Sequence, residues 1–547
     1  MKLNSVITKP IFVATVSLVA VGCSSAKEKA AKKPMNIIYI MSDDHTSNAI
    51  GVYGSRLAEL DPTPNIDKFA SEALIFDDCF CGNSISTPSR ATIMTGQYSH
   101  TNGILTLDEK ITEDQQYLVQ EMKALGYQTA MVGKWHLGCE PSGFDYYNVF
   151  TMMGQQGTYF DPILSSSDIT SKKFPDNTKK HEGYCSDIVT DISLDWLANR
   201  RDKDKPFFLM HHYKAPHDDF EFAPRYAEYL ADKDIPLPST LFDRDGFGSV
   251  GTRGEDDSLD DFIATSVSSR NKYRNYVGMY NINSGDERED TILAYNEYLK
   301  RYLRCVKGVD DNIQRIFDYL KENDLWENTI IVYTGDQGMM LGEHDLQDKR
   351  WIYEECMRMP YIMRVPGSKQ TKGNHNELMI SNVDFAPTLL SLAGLNSTPS
   401  YMQGSDFSSI FEDKTPENWR TACYYRYWMH MIHHNVPAHF GIRTKDYKLA
   451  FFYGRHYDTE RKNRNAMWWL KNTATIDPTP ASFELYDLKN DPFETTNLAE
   501  NPQYKGVLDS LKQELLNLKK KVGDSDVLHP EIQEIIDVNF GTVTPKF

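Results

Sequence analysis

The chain has 547 residues, of which 40% are hydrophobic, so it is long enough to bury a large core or more than one domain. Its 59 basic and 77 acidic side chains give a formal net charge of −18, which argues against nucleic acid as a partner because a polyanion would be repelled. An anionic substrate could therefore be attracted only by a local cationic pocket or a metal ion.

The N-terminus predicts export. Basic residues precede an apolar run over residues 11–21 that is too short for a permanent membrane-spanning helix. The run leads to Cys23 and a lysine-rich tether, and this arrangement resembles a bacterial lipoprotein signal. We expect cleavage of residues 1–22 and a lipidated Cys23 in a tether over residues 23–34; a secretory signal cleaved near Ala26 is the alternative. Both interpretations predict an exported protein, periplasmic or anchored to the outer membrane, that contacts the membrane only through this lipid.

Four continuous apolar runs predict buried parallel strands. They cover residues 36–41, 129–133, 206–210 and 329–333, and each is followed by polar residues. Helical patterns lie between them, for example over residues 293–323. This alternation predicts an α/β fold, a large mostly parallel sheet flanked by helices. Ligands bind at the carboxyl ends of the strands in such sheets.

The pattern changes in two later regions. Residues 218–290 are rich in charge, glycine, serine and proline, which predicts a long insertion able to line a substrate cleft. We expect the catalytic domain over residues 35–410 and a smaller C-terminal α+β subdomain over residues 411–547. The subdomain is predicted from strand-like pieces at 422–427, 440–443, 448–453 and 483–487 and a helix over 505–520.

The eight cysteines do not predict a disulfide framework. No two of them have C-x-x-C spacing, and if Cys23 carries lipid an odd number remains. We expect most of them to be buried thiols, and no zinc site is indicated.

Oxygen donors follow the first and last of the predicted strands. Asp43 and Asp44 come after the first, and Asp336 and Gln337 come after the last. Such ligands without histidine or cysteine favour Ca²⁺ or Mg²⁺. An Asp-Asp pair alone is also typical of a solvated loop, but two adjacent carboxylates at one sheet edge would repel each other without a cation.

Ser86 begins the segment STPSRATIMTG, residues 86–96. Pro88 suits the first turn of a helix, so Ser86 would lie at a helix N-terminus, where free N–H groups attract anions, and Arg90 adds a cation one turn later. The segment resembles the [C/S]-x-P-S-R signature of the type I sulfatases, which belong to the alkaline-phosphatase-like superfamily. The resemblance implies that Ser86 is oxidised to Cα-formylglycine. Serine in place of cysteine implies a formylglycine-generating maturation enzyme of the anaerobic type.

The resemblance also implies a metal site with one Ca²⁺ per chain. Many family members have Asn where this chain has Gln337, a change that keeps the amide oxygen. The implied ligands are Asp43, Asp44, Asp336, Gln337 and the modified residue 86.

The remaining catalytic residues are also implied by the resemblance. Lys134 and His136 follow a strand at i and i+2, so both would reach one pocket if the segment is extended; Lys134 would contact the sulfate and His136 would accept a proton from the hydrated formylglycine. His217 and Lys349 match the sulfate-contacting histidine and the second lysine, and either could protonate the leaving sugar oxygen. The less favoured neighbours are His211, His212 and Arg350.

Residues 426–439 are unusually rich in histidine and aromatic residues. We expect His430, His434 and His439 to bind a sugar, because a core strand should not hold so many imidazoles; a surface loop is the alternative. With residues 254–257 of the insertion, the segment looks similar to exo-acting N-acetylglucosamine-6-sulfatases, so we expect 6-O-desulfation of N-acetylglucosamine in sulfated glycans. Alternatives are a 2-O-sulfated uronate, sulfated galactose or N-sulfate as substrate, a phosphodiesterase or phosphonate hydrolase of the same superfamily, and a non-enzymatic glycan-binding lipoprotein.

Overall fold

A computed structural model describes residues 34–458 and 478–541 of the chain. The predicted signal peptide, the lipidated Cys23 and the tether up to residue 33 lie outside the described residues. The division between a catalytic domain ending at residue 410 and a C-terminal subdomain stays a prediction. None of the described helices combines the length and the apolar character that a membrane span requires.

The strands, in chain order, are β1 Asn36–Asp43, β2 Leu74–Phe76, β3 Cys79–Phe80, β4 Gln128–Gly133, β5 Tyr146–Phe150, β6 Ile163–Ser166, β7 Thr178–Lys180, β8 Phe207–Pro216, β9 Thr265–Ser266, β10 Thr329–Gly335, β11 Met340–Leu341, β12 Leu346–Asp348, β13 Tyr361–Arg364, β14 Asn374–Asn376, β15 Ile380–Ser381, β16 Ala422–Tyr427, β17 His439–Thr444, β18 Tyr447–Phe452 and β19 Ser482–Asp487. The helices are α1 Pro64–Ala70, α2 Ser86–Thr95, α3 Ser99–Asn102, α4 Tyr117–Ala124, α5 Met152–Gln155, α6 Cys185–Asp195, α7 Val250–Arg253, α8 Tyr276–Met279, α9 Glu287–Glu322, α10 Glu354–Met357, α11 Phe385–Leu392, α12 Lys505–Lys521 and α13 Pro530–Phe540.

Ten strands form the main sheet, in the order β14-β2-β13-β10-β1-β8-β4-β5-β6-β7. The central strands β10, β1, β8, β4 and β5 are mutually parallel, as the continuous apolar runs predict. Strands β13, β6 and β7 are antiparallel to their neighbours, so the sheet is mixed toward its edges. The α/β prediction is confirmed. The carboxyl ends of β1, β4, β8 and β10 share one edge, where the candidate site lies.

Both faces of the central strands are buried, which explains why their sequences are continuously apolar. Ile38 and Ile40 of β1 face a core that includes α6 and the long helix α9. Ile37, Tyr39 and Met41 face the opposite core, which α2, α4 and α11 cover. This two-sided burial fixes the height and direction of β1 and therefore the position of the carboxylates at its end.

The C-terminal part is a four-stranded antiparallel sheet, β16-β17-β18-β19, covered by α12 and α13. Each predicted strand in this part is present, and the predicted helix corresponds to α12. Leu511 and Leu515 of α12 and Ile532 and Ile536 of α13 pack against this sheet. The prediction of a smaller α+β subdomain is therefore confirmed.

From residue 218 to the start of α9 at Glu287 the chain contains only short elements, and one of them reaches the site. Strand β9 pairs with β12, the strand that leads to Lys349. The seven described cysteines are free thiols, all buried except Cys139, which is half-buried. This agrees with the expectation of buried thiols.

Candidate active site

A buried carboxylate cluster lies at the carboxyl end of β1 and β10. Ser42 pairs with Gly335 in the parallel ladder, so Asp43 and Asp336 are brought side by side. Asp44 follows with a left-handed backbone, φ 61°, and its N–H donates to Asp336 Oδ1 at 3.1 Å. Oxygen atoms of Asp43, Asp44 and Asp336 all lie within 4.8 Å of one another. The three carboxylates therefore face one point.

The chemistry of this cluster fits a hard cation. Burial and the neighbouring Asp43 raise the pKa of Asp336 to about 7, as expected for carboxylates that are crowded at one buried point. Gln337 donates from Nε2 to Asp44, while its buried Oε1 has no hydrogen-bond partner among the described residues. An unpartnered amide oxygen beside three carboxylates is a donor set that suits Ca²⁺ or Mg²⁺. The residues present thus fit a divalent metal ion.

Ser86 and Arg90 bring the start of α2 against this cluster. Ser86 is the first residue of the helix, and its hydroxyl donates to Asp43 Oδ1 at 3.1 Å. Arg90, one turn later, donates from Nε to Asp336 Oδ2 at 3.1 Å and from Nη1 to the Lys134 carbonyl at 2.7 Å. Both side chains are buried. The helix N-terminus, with its free N–H groups, therefore faces the carboxylates and the cleft beyond them.

Lys134 and His136 lie just after β4. Lys134 Nζ contacts Asp43 Oδ2 and Gln156 Oε1. The expectation of an extended segment is wrong here, because His136 has a left-handed backbone with φ 56°. Burial, with Lys134 and Arg90 nearby, holds the pKa of His136 well below its usual value, so its imidazole is neutral. Its buried Nδ1 has no hydrogen-bond partner among the described residues.

His217 and Lys349 also reach the cluster, through Asp44. His217 Nε2 is 3.7 Å from Asp44 Oδ2, while Nδ1 is 2.5 Å from Asp218 Oδ1. Lys349 Nζ is 2.5 Å from Asp44 Oδ2. Burial disfavours the lysine's charge, but Asp44, Asp43 and Asp218 outweigh it and raise the pKa of Lys349. The structure thus gathers the six predicted catalytic residues around the predicted metal ligands.

A cleft opens above Ser86, His217 and Lys349. A buried ion pair lines it: Arg350 Nη1 is 2.5 Å from Asp348 Oδ1, and Asp348 Oδ2 is 3.1 Å from His434 Nδ1. The other lining residues are Ile85, Leu107, Gln156, Asp218, Gln347 and His433. Of these lining residues, Gln156, Asp218, Asp348 and His433 were not predicted as site residues from the sequence. Asp348 could have been found from the sequence, because it directly precedes the predicted catalytic residue Lys349. Nothing in the sequence distinguishes Gln156 from other glutamines.

His434 is the one predicted sugar-binding histidine that lines the cleft. The prediction for His439 is wrong, because its ring lies in the core of the C-terminal sheet against Phe452 and Tyr425. Both its ring nitrogens are used by backbone groups: Nδ1 by the Pro437 carbonyl at 2.7 Å and Nε2 by the Ile352 N–H at 3.1 Å.

The structure does not bring His430 to the cleft either. Its side chain is fully buried, and Nδ1 accepts from the Ala438 N–H at 3.1 Å. His211 and His212, the less favoured neighbours of His217, are buried beside Ser193 and the Lys134 carbonyl respectively. Core imidazoles in this chain are thus stabilised by backbone and hydroxyl partners.

Comparison with known proteins agrees with this geometry. The sulfatase family model matches residues 35–395, and a model of the C-terminal part of N-sulphoglucosamine sulphohydrolase matches residues 342–466. The chain is 36% identical to the N-acetylglucosamine-6-O-sulfatase of Bacteroides thetaiotaomicron over 92% of this chain and 89% of the relative.

Two solved structures give the same picture. One is BT4656 in complex with its substrate D-glucosamine-2-N,6-O-disulfate, with 35% identity, a TM-score of 0.76, and coverage of 91% of this chain and 99% of the other. The other is the phosphonate monoester hydrolase of Agrobacterium radiobacter, with 19% identity, a TM-score of 0.66, and coverage of 89% and 96%. At that identity the second shows a shared fold alone.

Proposed function

The chain belongs to the sulfatase family and is a sulfuric ester hydrolase that acts on carbohydrate, and from this premise we propose that it removes the 6-O-sulfate of N-acetylglucosamine as an exo-acting enzyme of glycosaminoglycan or mucin glycan breakdown. One observation carries the proposal. Ser86 is hydrogen-bonded to a buried carboxylate cluster that fits a divalent cation, and Arg90, Lys134 and Lys349 converge on the same point.

Two groups absent from a bare polypeptide complete this site. We propose that Asp43, Asp44, Asp336, Gln337 and residue 86 hold one Ca²⁺, which supplies charge neutralisation and polarisation of the sulfate oxygens. We also propose that Ser86 is converted to formylglycine, whose hydrate supplies one hydroxyl for attack on sulfur and a second for release of sulfate. The helix N-terminus adds oriented N–H groups toward the bound anion.

The protein's own side chains then have separate tasks. Lys134, Lys349 and Arg90 bind the sulfate oxygens and stabilise the charge that grows on them during transfer. His136 is neutral, and its Nδ1 has no hydrogen-bond partner among the described residues, so it can accept a proton from residue 86. His217 Nε2 or Lys349 Nζ gives a proton to the departing sugar oxygen, because an unprotonated sugar oxygen is a poor leaving group.

The assignment of the sugar rests on the cleft and on the relatives. The Asp348–Arg350 pair and His434 offer a carboxylate, a guanidinium and an imidazole beside Lys349, a set that hydrogen-bonds sugar hydroxyls. The relative that is 36% identical is named an N-acetylglucosamine-6-O-sulfatase. The His-rich segment therefore supports sugar binding through His434 and not through His439.

Location and maturation follow from the N-terminal sequence and from Ser86. We propose that the protein is an exported lipoprotein of the periplasm or outer membrane, matured by an anaerobic-type formylglycine-generating enzyme. Labelling with a fatty acid should mark the wild-type chain and leave a Cys23→Ser variant unlabelled.

A substrate panel tests the proposed function. The protein should be produced with and without an anaerobic-type maturation enzyme and assayed on N-acetylglucosamine-6-sulfate, galactose-6-sulfate, a 2-O-sulfated uronate and N-sulfoglucosamine. We expect sulfate release from the first substrate only, and only from protein whose residue 86 carries formylglycine by peptide mass. Preference for another sulfate position would overturn the sugar assignment, and full activity with unmodified serine would overturn the mechanism.

A further inference from the structure

One arginine of the insertion, Arg274, differs from the others in its surroundings. Arg225, Arg244, Arg253 and Arg270 each bind a carboxylate, at 2.6, 2.7, 2.7 and 2.9 Å, and the guanidinium of Arg288 lies 3.8 Å from the ring centroid of Phe242. Arg274 is half-buried, yet among the described residues no carboxylate lies within 4.0 Å of its guanidinium and no hydrogen bond from it is formed. A partly desolvated guanidinium without a counter-ion is costly unless an anion binds it.

The backbone places Arg274 beside the cleft. Strand β9 pairs with β12 so that Thr265 lies opposite Gln347, which lines the cleft. On the other side of β9, Ser266 forms a parallel bridge with Asn275, and its N–H donates to the Arg274 carbonyl at 3.1 Å. Arg274 is therefore in register with Thr265, so their side chains share one face.

The face that Thr265 and Arg274 share points toward His434, one of the two histidines that line the cleft. Thr265 Oγ1 is 3.3 Å from His434 Nδ1, and His434 lines the cleft together with His433. Burial, and then the positive charge of Arg274, lower the pKa of His434 to about 3, so the imidazole carries no charge of its own. The guanidinium of Arg274 is thus close enough to act on His434, and it has no carboxylate partner among the described residues, whereas Arg350, which lines the cleft, is paired with Asp348.

We propose that Arg274 binds a second anionic group of the substrate, distinct from the sulfate that is hydrolysed. This rests on the proposed function and extends it, since the preferred substrate would be a 6-O-sulfated glucosamine unit that carries another negative charge nearby. The group is a sulfate or a carboxylate, because a planar guanidinium recognises either with two parallel hydrogen bonds. It could be an N-sulfate on the same sugar or the carboxylate of an adjoining uronate.

The test compares three substrates with two variants. The substrates are N-acetylglucosamine-6-sulfate, glucosamine-2-N,6-O-disulfate and a uronate-linked disaccharide of N-acetylglucosamine-6-sulfate. The variants are Arg274→Met, which removes the charge, and Lys272→Met, a matched loss of a cation two residues away that is exposed and paired with Asp261. All measurements use the mature full-length enzyme with its metal, and each reports kcat and KM separately.

We expect the wild type to favour one of the dianionic substrates, and Arg274→Met to raise KM for that substrate roughly tenfold or more, as for loss of a charge-assisted contact. The change for N-acetylglucosamine-6-sulfate should stay below about threefold, and Lys272→Met should match the wild type. Which dianionic substrate is affected identifies the source of the second charge. An equal effect of Arg274→Met on all three substrates, or no wild-type preference, would overturn the inference. Failure of the wild type on every 6-O-sulfated substrate would instead overturn the proposed function.

Discussion

The hydroxyl of Ser86 lies 3.1 Å from Oδ1 of Asp43, so the first residue of α2 is bonded to the last residue of β1. This contact joins the helix N-terminus to the carboxylate cluster. A nucleophile formed at residue 86 would therefore be held between a cation site and the cleft. Both residues are buried, which limits the water that could compete with the attack on sulfur.

Replacing Ser86 by alanine should abolish sulfatase turnover without unfolding the protein. We expect kcat to fall by at least about a thousandfold, since the group that carries the nucleophile is lost. Thermal unfolding should shift little, because only one hydrogen bond is removed and its acceptor, Asp43, keeps Arg90 and Lys134 as partners. The control is Thr87→Ser, whose hydroxyl has no partner among the described residues. Near-normal turnover in Ser86→Ala would show that residue 86 is not the nucleophile.

Asp336→Asn should weaken metal binding and activity together. The substitution removes one of three negative charges that face the same point, so we expect Ca²⁺ affinity to fall at least about tenfold. Isothermal titration of metal-depleted protein with Ca²⁺ measures this directly. Ca²⁺ should also raise the unfolding temperature of the wild type more than that of the variant, because binding stabilises only the folded state.

A surface carboxylate is the control for this experiment. Asp191→Asn removes an exposed charge paired with Arg315, and it should leave Ca²⁺ affinity unchanged. Two tightly bound Zn²⁺ ions per chain, measured by elemental analysis, would contradict the single-calcium site and favour a phosphodiesterase.

The sequence predicts the centre of this fold better than its edges. Strands β1, β4, β8 and β10 are buried on both faces, so each appears as a continuous apolar run. The edge strands β6 and β7 span four and three residues and carry lysines and serines, a pattern no different from a loop. Their antiparallel pairing depends on contacts between distant segments and leaves no local signal.

The site residues likewise fall into those that the sequence predicts and those that it does not. Asp43 ends strand β1, and Asp336 and Lys134 directly follow β10 and β4, so their shared position results from parallel pairing. Gln156 and His433 reach the cleft on loops whose paths are set by tertiary packing. His439 was misassigned because a histidine-rich run looks alike whether its rings bind a sugar or, as here, stack in a core and bond to the backbone.

Alanine variants of His439 and His434 should distinguish a histidine that stabilises the core from one that binds the substrate in the cleft. His439→Ala removes a fully buried ring and two hydrogen bonds, so we expect it to lower the free energy of unfolding by about 2–4 kcal/mol, measured in urea. KM of the folded fraction should not change. His434→Ala should raise KM for the sulfated sugar several-fold while stability changes less than in His439→Ala. The reverse pattern would restore the original sugar-binding role of His439.

A buried ion network connects strand β16 with helix α12 and the segment that follows it. Its contribution to the free energy of unfolding should depend on pH. Arg426 of β16 is 2.7 Å from Asp524 and 2.6 Å from Asp526, and Lys519 is 2.8 Å from Asp526. Burial opposes ionisation of these aspartates, but Arg426 outweighs it and lowers the pKa of both. A lowered folded-state pKa gives stability that is present above the ordinary aspartate value of about 4 and is lost as pH falls below it.

Asp526→Asn should therefore destabilise the protein strongly at neutral pH and less at acidic pH. We expect a loss of about 3 kcal/mol in the free energy of unfolding at pH 7, because a buried cation loses a partner. The difference from wild type should narrow between pH 5 and about pH 3, because Asp526 of the unfolded wild-type chain takes up a proton in this range and folding must then remove it. Urea unfolding at both ends of this range measures it. Asp509→Asn, which removes an exposed pair with Lys505, should change stability by less than about 1 kcal/mol at either pH. A gap between Asp526→Asn and wild type that is equal at both pH values would mean that Asp526 contributes packing and not charge.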